Sequence, residues 1–511
     1  MRRSLLPAAL VAVTVVSTAG ADGALQHPAT AYPAAQHPAA AHPAAAHAAA
    51  PHPAAARAVA HPVTYVGALS HPREDPYYPA KGDPSVDALH YGLALHWAPK
   101  SRRLTGTATI TFRAPVDESQ IRLDLGDPLV VREIRLDGRT VTFGHPGKDL
   151  VVDTGAILAK DSRHVLVVRY SGTPKPVQAP TDRPDIPHVG WTITRLGEVW
   201  TMQEPFGAYT WYPVNDQPSD KAYYDVSISA PRRWVGIFNG RLVSRHATTS
   251  RTITTWHLAS PVSSYLTTIA IGDYVRHRDT GSHGLPITYW LPRRDPTAGQ
   301  SLLAELRHTP KMISWLEGRL GPYPFDRIGV VVVPSDSAME TQTLVTMGGR
   351  LLAEAGHHAF RADLLHEYSH QWYGDTVTPD NWPDLWLNES FAMYTQIRWQ
   401  VAQGWQTMAH WRASLAASDG DLRSSDGPPG AYHRQQFGDI CVYYCGALML
   451  DRLRTRLGDA TFGAIWRGWP QQHRFASVDR STYAAWASAR AGQDLGPFLT
   501  AWLTSPTTPP S

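Results

Sequence analysis

The stretch His366-Glu367-Tyr368-Ser369-His370, followed by Glu389 after a gap of eighteen residues, constrains this chain more than any other feature. Two histidines four apart on a helix project from one face, about one turn from each other. Their imidazole nitrogens can then reach one metal ion, with the intervening glutamate beside it. Two histidines and a carboxylate leave one position of a tetrahedral zinc site open for water, the hallmark of a catalytic site. Glu367 is placed to take a proton from that water. With 24 histidines but only 11 glutamates in 511 residues, a random chain of this composition shows HExxH about once in 40 tries. The bland alternative is an ordinary helix with a histidine pair. A glutamate at the matching later distance, in Trp386-Leu387-Asn388-Glu389, weighs against it.

The length suggests two to four domains, each able to bury its own core. A net charge of +3, with no basic run, gives no sign of nucleic-acid binding. At the N-terminus, Met1-Arg2-Arg3, an apolar stretch from Leu5 to Val16 and Ala19-Gly20-Ala21 together predict a secretory signal peptide over residues 1–21. The apolar run falls short of the roughly 20 residues a membrane span needs. No later segment is apolar enough to cross a bilayer, so the mature protein is expected to be exported and extracellular. Cys441 and Cys445 are too few for a disulfide framework. Two packed free thiols are expected there, with a disulfide as the alternative.

Residues 22–73 are dominated by Ala, Pro and His, with His37, His42, His47 and His52 recurring every five residues and His27 in phase. Such a segment is expected to remain an extended, disordered spacer, a solvated tether with metal gathering as the alternative. Over residues 74–275, short alternating or apolar runs (Leu89 to Trp97, Thr105 to Arg113, Ile121 to Leu125, His164 to Tyr170, Tyr223 to Ser229) predict an antiparallel β domain. Over residues 276–504 helical periodicity takes over: Ala304 to Leu320, Ala359 to Tyr373, Asn388 to Gln403, Tyr443 to Leu457 and Thr482 to Ala491. One strand, Ile328 to Val333, stands among them, and residues 505–511 form a tail. The fold class is therefore α+β multidomain, with the metal motif in the mainly helical half.

From about Asp75 onward the chain resembles the zinc aminopeptidases of the aminopeptidase N and leukotriene hydrolase family. His366 through Asp375, Trp386 through Glu389 and Gly321-Pro322-Tyr323-Pro324-Phe325 carry the resemblance. It implies an N-terminal β domain, a thermolysin-like catalytic domain and one zinc ion per chain. His366, His370 and Glu389 would hold the zinc, with Glu367 as general base. Ser337-Ala338-Met339-Glu340-Thr341 stands where the family has Gly-x-Met-Glu-Asn. That match makes Glu340 the anchor for a peptide's free amino group, with Ala338 and Met339 beside the substrate. Thr201-Met202-Gln203-Glu204-Pro205 resembles the segment whose acidic residue, here Glu204, reinforces the anchor. Tyr443, in Tyr443-Tyr444-Cys445-Gly446-Ala447, matches the tyrosine that stabilises the oxyanion; a core tyrosine is the plain alternative.

The chain departs from the family pattern at Ser337, Thr341, Ser390 and Cys445, and in the spacing of Gln203 before Glu204. It also ends soon after the catalytic helices, so the helical-repeat domain of longer relatives is expected to be absent. The resulting expectation is a secreted aminopeptidase, monomeric, acting on peptides with a free N-terminus. A thermolysin-like endopeptidase and a catalytically silent scaffold are the rivals. Asp375 and Asp384 are near the metal motif in sequence but fit capping or turn roles equally well.

Overall fold

Alternation in the sequence becomes alternation in burial. In strand Asp87–Ala98 the side chains of Tyr91, Leu93, Leu95 and Trp97 are buried while Ala94 and His96 are exposed, as a sheet with one covered face requires. The structure, a computed structural model, describes residues 65–510. The expected leader and the histidines His27, His37, His42, His47 and His52 lie outside the described residues.

Strand Asp87–Ala98 sits inside an eight-stranded sheet whose order runs from Arg241–Ala247 at one edge to Arg139–Thr140 at the other. Neighbours are antiparallel with a single exception, Asp87–Ala98 against Lys221–Pro231, which are parallel. The chain between those two strands leaves to build other layers before returning, and parallel neighbours need such a long crossover. A second sheet of five strands is ordered Val235–Phe238, Ile269–Gly272, Val199–Met202, His188–Ile193 and Val177–Gln178. A third begins with Tyr274–Thr280 and passes through Pro286–Pro292, Ile328–Val333 and Val345–Gly348 to a short edge strand, Ala338–Met339. All six residues of Ile328–Val333 are buried, consistent with a strand covered on both faces.

Residues 65–73, expected to belong to the spacer, pack onto the first sheet instead. Tyr65 stacks on His90 with ring centroids 5.4 Å apart, and the Ser70 amide donates to Asp87 Oδ1 at 3.1 Å. Arg73 reaches Asp380 at 3.2 Å. An aromatic ring and a buried hydroxyl give this stretch the partners that an Ala/Pro/His composition lacks.

The helices are α1 (Pro296–Leu306), α2 (Thr309–Leu320), α3 (Leu351–His370), α4 (Trp386–Ala402), α5 (Met408–Asp426), α6 (Ile440–Leu457), α7 (Asp459–Gln472), α8 (Arg480–Ala491) and α9 (Gly496–Thr504). The single helix expected over 304–320 is two, because Pro310 stands in the first turn of α2 and cannot donate back into a preceding turn. Residues 505–510 are tied down: the buried Arg423 donates to the carbonyls of Trp502 (3.0 Å) and Ser505 (2.9 Å), and Thr508 to Asp419 (2.7 Å).

Cys441 and Cys445 are joined in a disulfide, which corrects the expectation of free thiols. Their Cα atoms lie 4.8 Å apart on consecutive turns of α6, inside the bridgeable range.

Helices α4 and α6 meet at Ser390 and Gly446. A Cβ added to Gly446 would stand 1.8 Å from Ser390 Oγ and 2.5 Å from Ser390 Cβ, so only glycine allows this approach. Ser390 Oγ uses the space to donate to the Val442 carbonyl at 2.7 Å. Gly446→Ala is expected to destabilise the protein by about 1–3 kcal/mol through overpacking. Adding Ser390→Gly should recover part of that loss in calorimetric melts; an unchanged melting temperature in the single variant would show the contact to be slack.

Candidate metal centre and substrate cleft

Helix α3 is buried from Ala362 to His370, which explains why its sequence lacks a clear polar stripe. That burial carries His366, Glu367 and His370 into the interior. Helix α4, buried from Trp386 through Ile397, brings Glu389 to meet them. His366 Nε2 lies 3.1 Å and His370 Nε2 3.2 Å from Glu389 Oε2, and the two Nε2 atoms are 3.0 Å apart. His370 Nδ1 is 2.9 Å from the Tyr373 carbonyl. A carbonyl only accepts, so Nδ1 carries the proton and Nε2 presents a lone pair to the centre. Three converging lone-pair atoms, buried and of mixed nitrogen and oxygen type, fit zinc; calcium and magnesium take oxygen donors instead. Burial alone would raise the Glu389 carboxyl, but His370 and His366 hold it well below the usual carboxylate range.

The loop after α3 is shaped by Gly374. Its φ of +127° favours glycine, and a Cβ there would sit 3.3 Å from the Asn388 amide group and 3.4 Å from His370 Nδ1. Asn388 donates to the Tyr265 hydroxyl at 3.1 Å, which ties the start of α4 to the residues after the first sheet. Asp384 accepts from Trp386 Nε1 (3.1 Å) and Arg480 Nε (2.6 Å), a purely supporting role. Asp375 is buried without a hydrogen-bond partner for either carboxylate oxygen among the described residues. Neither aspartate orients a metal-facing histidine; the Tyr373 carbonyl does that for His370.

Gln371 connects the metal helix to the next group. Its amide donates to the Glu340 carbonyl at 3.1 Å, and its oxygen accepts from Tyr323 OH and the Thr343 amide, both at 3.0 Å. Glu340 is thereby fixed beside edge strand Ala338–Met339. Glu204 approaches from the second sheet. The preceding Gln203 donates to the Ser264 carbonyl (2.8 Å) and Thr267 Oγ1 (2.7 Å), and accepts from Trp211 Nε1 (3.1 Å). The Gln203 amide also contacts Met339 Sδ at 3.5 Å. Carboxylate oxygens of Glu204, Glu340 and Glu389 fall within 4.8 Å of one another, and Oε1 of Glu204 and of Glu340 are buried without a hydrogen-bond partner among the described residues. Burial pushes Glu204 well above the usual range, and the neighbouring Glu340 adds to it. Burial also raises Glu340.

These groups line one cleft, together with Ala338, Met339 and Glu367. Burial pushes the Glu367 carboxyl well above its ordinary range, against the opposing effect of His370. Tyr443, on the first turn of α6, closes the far wall with its ring centroid 5.8 Å from that of His366. Every residue singled out in the sequence for the site therefore faces this space. Thr341, one of the departures, bonds Thr346 Oγ1 at 2.9 Å and the Leu344 carbonyl, holding the turn between two strands.

The lining includes charged residues that were not foreseen, among them Arg183, Asp185 and Asp363. Asp363 precedes His366 by three and shares its helix face, a signal that was legible. Arg183 and Asp185 sit in a loop with no local pattern.

The family model for the peptidase M1 N-terminal domain matches residues 87–266, and that for the peptidase family M1 domain matches residues 304–502. Aminopeptidase N of Streptomyces lividans is 25% identical over 451 residues, covering 82% of this chain and 50% of its own length. The human glutamyl aminopeptidase is 28% identical over 222 residues, covering 40% of this chain and 23% of its own. The chain thus spans about half the length, or less, of these curated relatives. The solved M1 zinc metallopeptidase of Deinococcus radiodurans superposes with a TM-score of 0.75 at 26% identity, over 85% of this chain and 97% of that one. A mutant of the same protein bound to a Tyr-Ser-Ala substrate gives 0.74 at 26%, over 85% and 98%. Both family models and the superposition agree: this chain belongs to peptidase family M1.

Proposed function

We propose that the protein is an exported zinc aminopeptidase that hydrolyses the first peptide bond of peptides with a free N-terminus. The observation that carries this reading is the pair of buried carboxylate oxygens of Glu204 and Glu340, without a hydrogen-bond partner among the described residues, beside the His366, His370 and Glu389 triad. Two carboxylates in one low-dielectric corner are costly alone, and an ammonium group between them relieves both. An anchored amine places the first carbonyl at the triad, so the corner selects the terminal residue.

His366, His370 and Glu389 would hold one zinc, which would supply Lewis acidity and lower the pKa of water at the site. Glu367 takes the proton of the attacking water and passes it to the departing amine. Tyr443 donates a hydrogen bond to the carbonyl oxygen as negative charge builds there. Met339 and Ala338, on an edge strand, offer backbone groups along which an extended peptide can lie. Export rests on the Met1–Ala21 leader; sequencing the N-terminus of protein recovered from culture medium tests it, and an intact Met1 there would count against cleavage.

A panel of aminoacyl reporters with matched N-acetylated versions tests the activity. Free-amine reporters should be cleaved and acetylated ones should not. A chelator should abolish turnover and lower the melting temperature, since a ligand specific to the folded state stabilises it. Equal cleavage of both versions would establish an endopeptidase. Absence of stoichiometric zinc after dialysis, with no turnover, would leave a scaffold.

A further inference from the structure

Arg183 lies in the loop between Val177–Gln178 and His188–Ile193, yet its guanidinium reaches the cleft wall formed by α6. Its Nη1 donates to Tyr443 OH at 3.3 Å and to the Gly438 carbonyl at 3.1 Å. On the opposite side, Nε and Nη2 donate to the two oxygens of Asp185 at 3.2 and 2.7 Å. A line of contacts thus runs from Asp185 through Arg183 to the Tyr443 hydroxyl.

The chemistry of this line has a fixed direction. A guanidinium has five N–H donors, no acceptor, and keeps its proton at any working pH. Wherever it meets a phenol, the phenol oxygen must accept. Tyr443 has one proton of its own, and the Arg183 contact cannot consume it. That proton is left to point into the cleft, where the carbonyl oxygen of a bound peptide gains charge. The fork on Asp185 stops the guanidinium from rotating, so the arrangement is held before substrate arrives.

We infer that Arg183, locked by Asp185, is a positioning residue that makes Tyr443 an obligate hydrogen-bond donor toward the developing oxyanion. The inference rests on the aminopeptidase reading for the reaction, but not for the hydrogen-bond polarity itself.

A double-mutant cycle tests it, with zinc content and melting temperature measured for each protein. Arg183→Ala should lower kcat by about 10- to 100-fold on an aminoacyl reporter, with KM within about twofold. In a Tyr443→Phe background the same change should cost less than about twofold, because the hydroxyl it serves is gone. Added guanidinium should restore part of the activity of Arg183→Ala but none in the double variant. Since Arg183→Ala leaves Asp185 unpaired, Arg183→Met with Asp185→Leu serves as a second variant and should show the same pattern. Equal losses in both backgrounds, or a loss expressed in KM alone, would overturn the inference. Calorimetric binding of a phosphinic dipeptide analogue, whose anionic oxygen mimics the oxyanion, needs no turnover. Arg183→Ala should weaken it by the factor seen in kcat and leave binding of the free amino acid unchanged. Wild-type protein that cleaves no reporter would refute the aminopeptidase reading, whereas unchanged analogue affinity in Arg183→Ala would refute this inference.

Discussion

Replacing Glu367 by Gln should leave one zinc per chain and lower turnover on an aminoacyl reporter by at least about 100-fold, the loss expected when a general base is removed. The residue is not among the three whose atoms converge at 3.0–3.2 Å, so the metal keeps its ligands. Glutamine preserves the volume and one acceptor oxygen but cannot take up a proton. Burial raises the Glu367 carboxyl well above its ordinary range. Metal analysis and kinetics on the same preparation check the result. Near-normal activity in a zinc-loaded variant would remove Glu367 from the role; loss of zinc along with activity would make it a ligand or a packing residue instead.

Tyr443→Phe is expected to lower kcat by about 100- to 1,000-fold with little change in KM, the effect of deleting one oxyanion donor. The change removes a single oxygen from a ring that is buried against the metal helix, so packing is preserved. Affinity for a free amino acid, which develops no oxyanion, should be unaffected. A rise in KM with kcat intact would mean that Tyr443 binds the ground state of the peptide. A drop in melting temperature as large as that of a core truncation would favour the plain reading of a packed aromatic.

The sequence made the metal-bearing half legible where a single helix face does the chemistry. His366, Glu367 and His370 lie within two turns, and the helical assignment from 359 onward matched α3 closely at its C-terminal end. Strand Ile328–Val333 was legible to the residue, since a short Val/Ile run that ends at Pro334 has few other fates. Helix α5 was invisible. Its buried positions Trp411, Leu415, Asp419 and Arg423 fall four apart, but half of that stripe is an ion pair, Arg423 with Asp419 at 2.7 Å. Hydrophobic periodicity cannot register a buried salt bridge. Arg183 was hidden for another reason, since 260 residues separate it from Tyr443 and no local spacing encodes such a contact. The four glutamates of the site were legible because glutamate is scarce in this chain and matched positions stood out.

Gln371 has a consequence for the kind of product expected. By holding the Glu340 backbone from the helix that carries His366 and His370, it would, on the proposed function, join the seat for the amine and the seat for the carbonyl into one gauge. A gauge of fixed length measures one α-amino acid and no more. Peptides should therefore be trimmed in single steps, each shortened chain re-entering as fresh material, while a β-amino acid at the front, longer by one carbon, would overshoot the blade.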